Sequence, residues 1–285
     1  MLRSIWRPIV TVSVLIVTVV GFIYYFATHP LVRQQLHQTS LATLATLFVL
    51  YLFVVLALSL VTLTTLRLCK IRLAPAESGL LTMYATVINF FGPLQSGPAF
   101  RGVYLKRKHG LNLKLYTAAT LVFYALYALF SGLLLLSGIL GWWLLIGGAV
   151  AILALTYVHS SQLSFFKRFQ ALDLNAIYAL AAATLFQVSL VAVIYFVELR
   201  SINPGVHFSQ AMVYAGAANF SLFVSLTPGA IGFRESFLLF SQHLHHISSS
   251  TIVAANIIDR AMYIVLLAVI GLVIFGTHAQ RRLQK

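Results

Sequence analysis

Residues 76–105 read AESGLLTMYATVINFFGPLQSGPAFRGVYL, and this stretch decides how the chain is built. It is apolar enough to enter a membrane, yet Gly92-Pro93 and Gly97-Pro98 interrupt it. Proline lacks an amide donor and glycine costs helix stability, so the helix is predicted to stop there. Each arm is then too short to cross comfortably a hydrocarbon layer that takes roughly 20 residues. Arg67, Lys70 and Arg72 precede the stretch, and Lys106, Arg107, Lys108 and Lys114 follow it. Basic loops are retained on the cytoplasmic side, so both ends face the cytoplasm and the segment is predicted to be a re-entrant helical hairpin. Irregular backbone at that depth is tolerated only where protein or water satisfies it.

The rest of the chain supports this reading. Of 285 residues, 60% are hydrophobic and 8% charged, against about 25% charged in a soluble domain. The fold class is all-α, a polytopic helical membrane protein. Full spans are predicted at 8–26, 41–66, 115–137, 141–158, 175–197 and 251–275. The first is read as a retained anchor, because its apolar core is long for a signal peptide and no A-x-A-like cleavage site follows. Threading the spans puts about fourteen basic residues inside and two, Arg33 and Arg200, outside, with both termini cytoplasmic. A formal net charge of +14 raises nucleic acid as a partner, but the basic residues lie between apolar runs and form no face on a soluble body, so none is expected. The lone Cys69 excludes a disulfide framework.

A second broken segment, 208–246, carries Thr227-Pro228-Gly229 and then Gly232. Both breaks follow one order: Asn89, Gly92-Pro93, small residues and Arg101; then Asn219, Pro228-Gly229, small residues and Arg234. The single membrane domain, 1–285, divides into halves 1–138 and 139–285, each with two spans, a re-entrant segment and one more span. Three crossings per half invert the second copy, and inverted repeats with broken helices point to a transporter site at the repeat interface. The alternative is about eight ordinary spans kinked by Gly and Pro.

Ionisable side chains at membrane depth are costly and usually functional. Arg234 and Glu235 open the helix after the second break, where free amides and the dipole favour an anion and a guanidinium matches phosphate oxygens. Glu235 complements that dipole, pairs with an arginine, or carries a proton. Arg101 holds the corresponding place in the first half. Arg260 lies about ten residues into the last span beside Asp259, and because adjacent helical residues point roughly 100° apart, an Arg260–Glu235 pair is expected rather than Asp259–Arg260. Arg101, Arg234, Glu235 and Arg260 are the candidate substrate-binding residues, with Gly92, Pro93, Pro228, Gly229 and Gly232 as helix breaks and Asn89, Asn219, Asp259 and Tyr263 as polar support. The competing reading of the four charges is structural ion pairing. Asn89 and Asn219 are expected to satisfy broken backbone.

His243, His245 and His246 lack the i, i+4 spacing of metalloprotease zinc ligands and are read as a hydrophilic outer cap, so no metal and no cofactor is expected. Trp142 and Trp143 read as interface aromatics, and Gly132 and Gly138 as sites of close helix packing. No Ser-His-Asp order, carboxylate pair or Walker lysine stands out, and the chain is not expected to be an enzyme.

The run Thr227-Pro228-Gly229-Ala230-Ile231-Gly232-Phe233-Arg234-Glu235, followed by Asp259-Arg260-Ala261-Met262-Tyr263 and preceded by the basic element from Arg101 to Gly110, resembles the lysylphosphatidylglycerol synthase transmembrane family, also described as flippase-like. Pro228, Gly229, Gly232 and Glu235 match its second motif, Arg260 and Tyr263 its final-helix motif, and Arg101 its first. The resemblance covers about residues 10–275. It implies a bacterial cytoplasmic-membrane protein that moves a lipid between leaflets, with a phospholipid headgroup as partner and an envelope-biogenesis protein as a further one. The soluble aminoacyl-transferring domain of the bifunctional members is not seen, so synthase activity is not carried over. The leading expectation is a lipid translocase or lipid-binding transporter. A small-anion or ion-coupled transporter and a non-transporting membrane scaffold are its rivals.

Overall fold

The computed structural model describes residues 39–92, 96–140, 174–224 and 233–283, with isolated positions at 30, 143, 147 and 150. The predicted spans at 8–26 and 141–158 lie outside them, apart from residues 143, 147 and 150. So do Pro93, Trp142, Pro228, Gly229 and Gly232. Every element assigned among the described residues is a helix: α1 (Leu41–Leu68), α2 (Pro75–Phe91), α3 (Ser96–His109), α4 (Leu113–Leu140), α5 (Leu174–Ile202), α6 (Phe208–Val224), α7 (Phe233–Phe240), α8 (Gln242–His245) and α9 (Ser249–Leu283). Four of these hold stretches long and apolar enough to cross a bilayer, Leu41–Leu68, Leu113–Gly138, Asn175–Ile202 and Ser249–Thr277, and they fall where four of the spans were predicted. The chain is an integral membrane protein of polytopic helical architecture. Its apolar side chains are distributed accordingly, with Phe53, Leu56, Leu121, Leu272 and Phe275 turned outward and exposed.

The first broken segment is two helices, and the residues that hold them show how they run. Pro75 opens α2, where its missing amide costs nothing, and Gly92 closes it with its N–H on the Ile88 carbonyl. A β-carbon at Gly92 would lie 2.7 Å from the Ile88 carbonyl oxygen, a main-chain atom that cannot swing aside, so glycine suits the close approach there. At the far end Tyr104, Lys108 and His109 of α3 all bond Glu77 in the first turn of α2. The start of one helix meets the end of the other, so α2 and α3 form an antiparallel hairpin. One detail of the sequence reading is corrected here. The helix resumes at Ser96, so Gly97-Pro98 is not a second break; Pro98 sits in the first turn of α3, where no intrahelical partner for its nitrogen is needed.

The second broken segment follows the same plan. Gln210 Nε2, at the start of α6, donates to the His245 carbonyl at the end of α8, so this segment too doubles back on itself. His245 corrects the reading of the histidines as a hydrophilic cap. It is 1% exposed, with Nε2 3.2 Å from the Leu238 carbonyl and Nδ1 accepting from the Ile247 N–H. Helix α6 lies deep in the protein, built from Ala211, Ala215, Ala217 and Ala218, and its Gly216 runs against α4 with no room for a side chain. Gly138 meets Val213 across the same contact, as its role in close packing predicted.

Candidate functional site

The helix ends of the first hairpin and the C-terminal half of α6 line one cavity of about 290 Å³, through Asn89, Gly92 and Pro98 and through Asn219 and Leu222. Spans α1, α4, α5 and α9 supply the remaining walls, largely as aromatic rings: Tyr51, Tyr124, Tyr127, Tyr195 and Tyr263. Arg101, Arg234, Asp259 and Arg260 also line it, so three of the four residues predicted to bind substrate converge here. Glu235 does not line the cavity but reaches Arg260, which does.

The three arginines are in different states. Arg234 is buried and donates from Nη2 to Asp259 Oδ2 at 2.5 Å and to Asn256 Oδ1 at 2.9 Å, with its guanidinium carbon 5.5 Å from the centre of the Tyr195 ring. Arg260 Nη2 reaches Glu235 Oε1 at 2.9 Å. Asp259 and Arg260 thus pair with Arg234 and Glu235 and not with each other, which ties α7 to α9 by two ion pairs. A buried cation is retained when its charge is matched nearby, and both of these are matched.

Arg101 differs. Its Nη1 donates to the Thr62 hydroxyl at 2.5 Å, and its Nε is buried with no hydrogen-bond partner. Four of the five acidic residues of the chain are described, and none of them lies within ion-pair distance of it. Among the described residues, then, Arg101 carries a positive charge into the cavity with no carboxylate in ion-pair contact with it.

The two asparagines divide. Asn89 Oδ1 accepts from the Gly97 N–H at 3.3 Å across the break, in the backbone-satisfying role expected of it. Asn219 instead accepts from the Tyr127 hydroxyl at 2.7 Å, and its Nδ2 is buried with no partner. Gln187 leaves its Oε1 in the same condition. Tyr263 packs its ring against Phe90 and Tyr51, with centroids 5.5 and 6.0 Å away, and helps to shape the wall.

Several contributors were not legible in the sequence. Glu198 is fully buried near the end of α5, beside Tyr51 and Asp259. Cutting the span at Val197 had placed it outside the membrane, although a lone acid closing an otherwise apolar run was the signal that would have found it. Tyr51, Tyr127, Tyr195 and Asn256 carried no such signal, because a tyrosine or asparagine in a span has many structural uses. Among the described residues no cluster of three or more His, Cys, Asp and Glu is placed to hold a metal ion.

Comparison with curated proteins and with solved structures gives no match to this chain. Comparison with family sequence models matches residues 9–271 to the lysylphosphatidylglycerol synthase transmembrane region, nearly the whole length, and the chain belongs to that family.

Proposed function

From that membership we propose that the chain moves a phospholipid, or a related lipid with an anionic headgroup, between the leaflets of a bacterial cytoplasmic membrane. The two hairpins are the re-entrant elements of an inverted repeat, and the cavity lined by the first hairpin and by α6 is the headgroup site. The observation that carries this reading is Arg101, which among the described residues has no acidic partner, in a cavity whose other two arginines are already paired. A phosphate does not cross hydrocarbon bare, so a path for it replaces water with fixed donors. Arg101 offers a planar fork suited to phosphate oxygens, and the buried amide of Asn219 adds a donor. The first hairpin opens toward the cytoplasm, where the basic residues at its ends lie.

The sequence reading named Arg101 and Arg234 together as candidates to hold an anionic substrate. The pairing of Arg234 with Asp259 leaves that task chiefly to Arg101.

The test reconstitutes purified protein in vesicles with a fluorescent phosphatidylglycerol and follows its exposure to an impermeant quencher. Arg101→Gln is expected to slow leaflet exchange at least tenfold while the protein keeps its thermal unfolding temperature. Unchanged exchange in a folded Arg101→Gln protein overturns the reading. Uptake of soluble phosphate without lipid exchange replaces it with the small-anion transporter.

A further inference from the structure

Glu198 has no place in the headgroup contacts, and its surroundings do not suit an ionised carboxylate. It is fully buried, and among the described residues no cation lies within ion-pair distance and Oε2 has no hydrogen-bond partner. A bare charge in such a place costs several kcal/mol, on the order of what a whole buried pair must recover. Its Oε1 lies 3.5 Å from the Tyr51 hydroxyl, which is also bonded to Asp259 Oδ1. Asp259 in turn accepts from Arg234 through Oδ2.

One hydroxyl proton does not serve two carboxylates. With Glu198 ionised, two negative groups compete for Tyr51 and the single charge of Arg234 is outnumbered. With Glu198 protonated the competition for Tyr51 ends: Glu198 donates to Tyr51 Oη, Tyr51 donates to Asp259, and Arg234 donates to Asp259. The charged and titratable groups that bear on Glu198 are Tyr51 on α1, Tyr195 on α5 itself, Tyr214 on α6, Arg234 on α7 and Asp259 on α9. Of these, Tyr51, Tyr195, Arg234 and Asp259 line the cavity.

We propose that Glu198 is a proton site coupled to the headgroup cavity, so that an anionic headgroup binds together with one proton. This rests on the reading of the cavity as a headgroup site. With the proton on Glu198 the group Glu198–Asp259–Arg234 is neutral and Arg101 receives the anion. Without it the group carries one net negative charge in the cavity wall and repels the same anion. The role that the sequence reading offered to Glu235 passes to Glu198, because Glu235 is bonded to Arg260 while Glu198 has no cation beside it among the described residues.

Leaflet exchange of fluorescent phosphatidylglycerol, measured at equal pH on both sides of the vesicle, is expected to fall by up to tenfold for each pH unit above the midpoint, as one proton per headgroup requires. Glu198→Gln, which holds the neutral shape permanently, is expected to remove that dependence. A flat profile in the unaltered protein, or an undiminished slope in Glu198→Gln, overturns the coupling. The proton site has a readout of its own in infrared spectra. A carboxylic C=O stretch at neutral pH, absent from Glu198→Gln and shifted in Tyr51→Phe, supports it; no such band, or one indifferent to both substitutions, overturns it. Absence of lipid exchange at every pH sinks the headgroup reading, and the infrared result still decides the proton site.

Discussion

Arg234 Nη2 lies 2.5 Å from Asp259 Oδ2, which fastens the helix after the second break to the last span at the edge of the cavity. One residue further along each helix, Arg260 and Glu235 repeat the bond in the opposite sense, with the acid on α7 and the base on α9. Two residues adjacent in sequence on α7 are thus crossed with two adjacent residues on α9. This fixes both the rotation and the register of the short helix against the span, a constraint that an eight-residue helix does not achieve by apolar packing alone.

Breaking one side of this arrangement strands a buried charge. Arg234→Gln or Asp259→Asn alone is expected to cost about 3–5 kcal/mol, and the double substitution clearly less than the sum, because the second change removes the charge the first left behind. Thermal unfolding of the three variants in detergent gives the coupling. Additive costs would show that the two groups do not depend on each other.

The close approach of α6 to α4 makes a second prediction. A β-carbon at Gly216 would lie 2.5 Å from the Leu135 nitrogen and 2.8 Å from the Ser131 carbonyl oxygen, both main-chain atoms that cannot swing aside. Gly216→Ala is expected to destabilise by about 1–3 kcal/mol, as overpacking does. Gly79 in α2 has nothing within 4 Å, and Gly79→Ala is expected to stabilise by about 0.5–1 kcal/mol through helix propensity. Opposite shifts in unfolding temperature for the two check the packing; shifts of one sign refute it.

How much of this was legible in the sequence follows from what each residue type is forced to do. The spans near 41–66 and 251–275 were plain, because long apolar runs in lipid admit little but a helix. Gly92-Pro93 marked a real stop, since neither residue continues a helix at its carboxyl end, whereas Pro98 misled because a proline that breaks a helix interior is welcome in a first turn. The Arg260–Glu235 pair was readable from the helical angle between neighbours, but Arg234–Asp259 was not foreseen, and with it the different standing of Arg101. Glu198 was lost to a span boundary one residue short. Sequence spacing locates charges along helices; which charges neutralise each other depends on how the helices face, and that enters only with tertiary packing.

Because Arg101 makes no ion pair among the described residues, its replacement is expected to behave unlike that of Arg234. Arg101→Lys keeps the charge and loses the fork, so retention of anionic lipid through purification should fall, while unfolding temperature stays within a degree or two of the unaltered protein. Mass spectrometry of co-purified lipid, set beside the unfolding curve, separates the two effects. A loss of stability as large as that of Arg234→Gln would mean that Arg101 is structural and that its open charge has another use.

The open end of the first hairpin carries a different electrostatic signature, and it lies outside the spans. Burial alone raises the Glu77 carboxyl, but the hydrogen bonds from Lys108, His109 and Tyr104 outweigh it and lower it to about 2, against an ordinary value of 4.5. A carboxyl held low when folded binds fewer protons than it does unfolded, so its contribution is complete above pH 4.5 and is lost as the pH falls from 4.5 toward 2. The clasp between the start of α2 and the end of α3 should therefore loosen in acid. Hydrogen exchange of the amides around residues 104–112 is expected to quicken through that window in the unaltered protein. In Glu77→Gln it should already be quick at neutral pH and respond little to acid. Lys108 is half exposed, so added salt should weaken the clasp at neutral pH as well. Identical acid profiles for the two proteins would place the latch of the hairpin elsewhere, in the apolar contact between the helices.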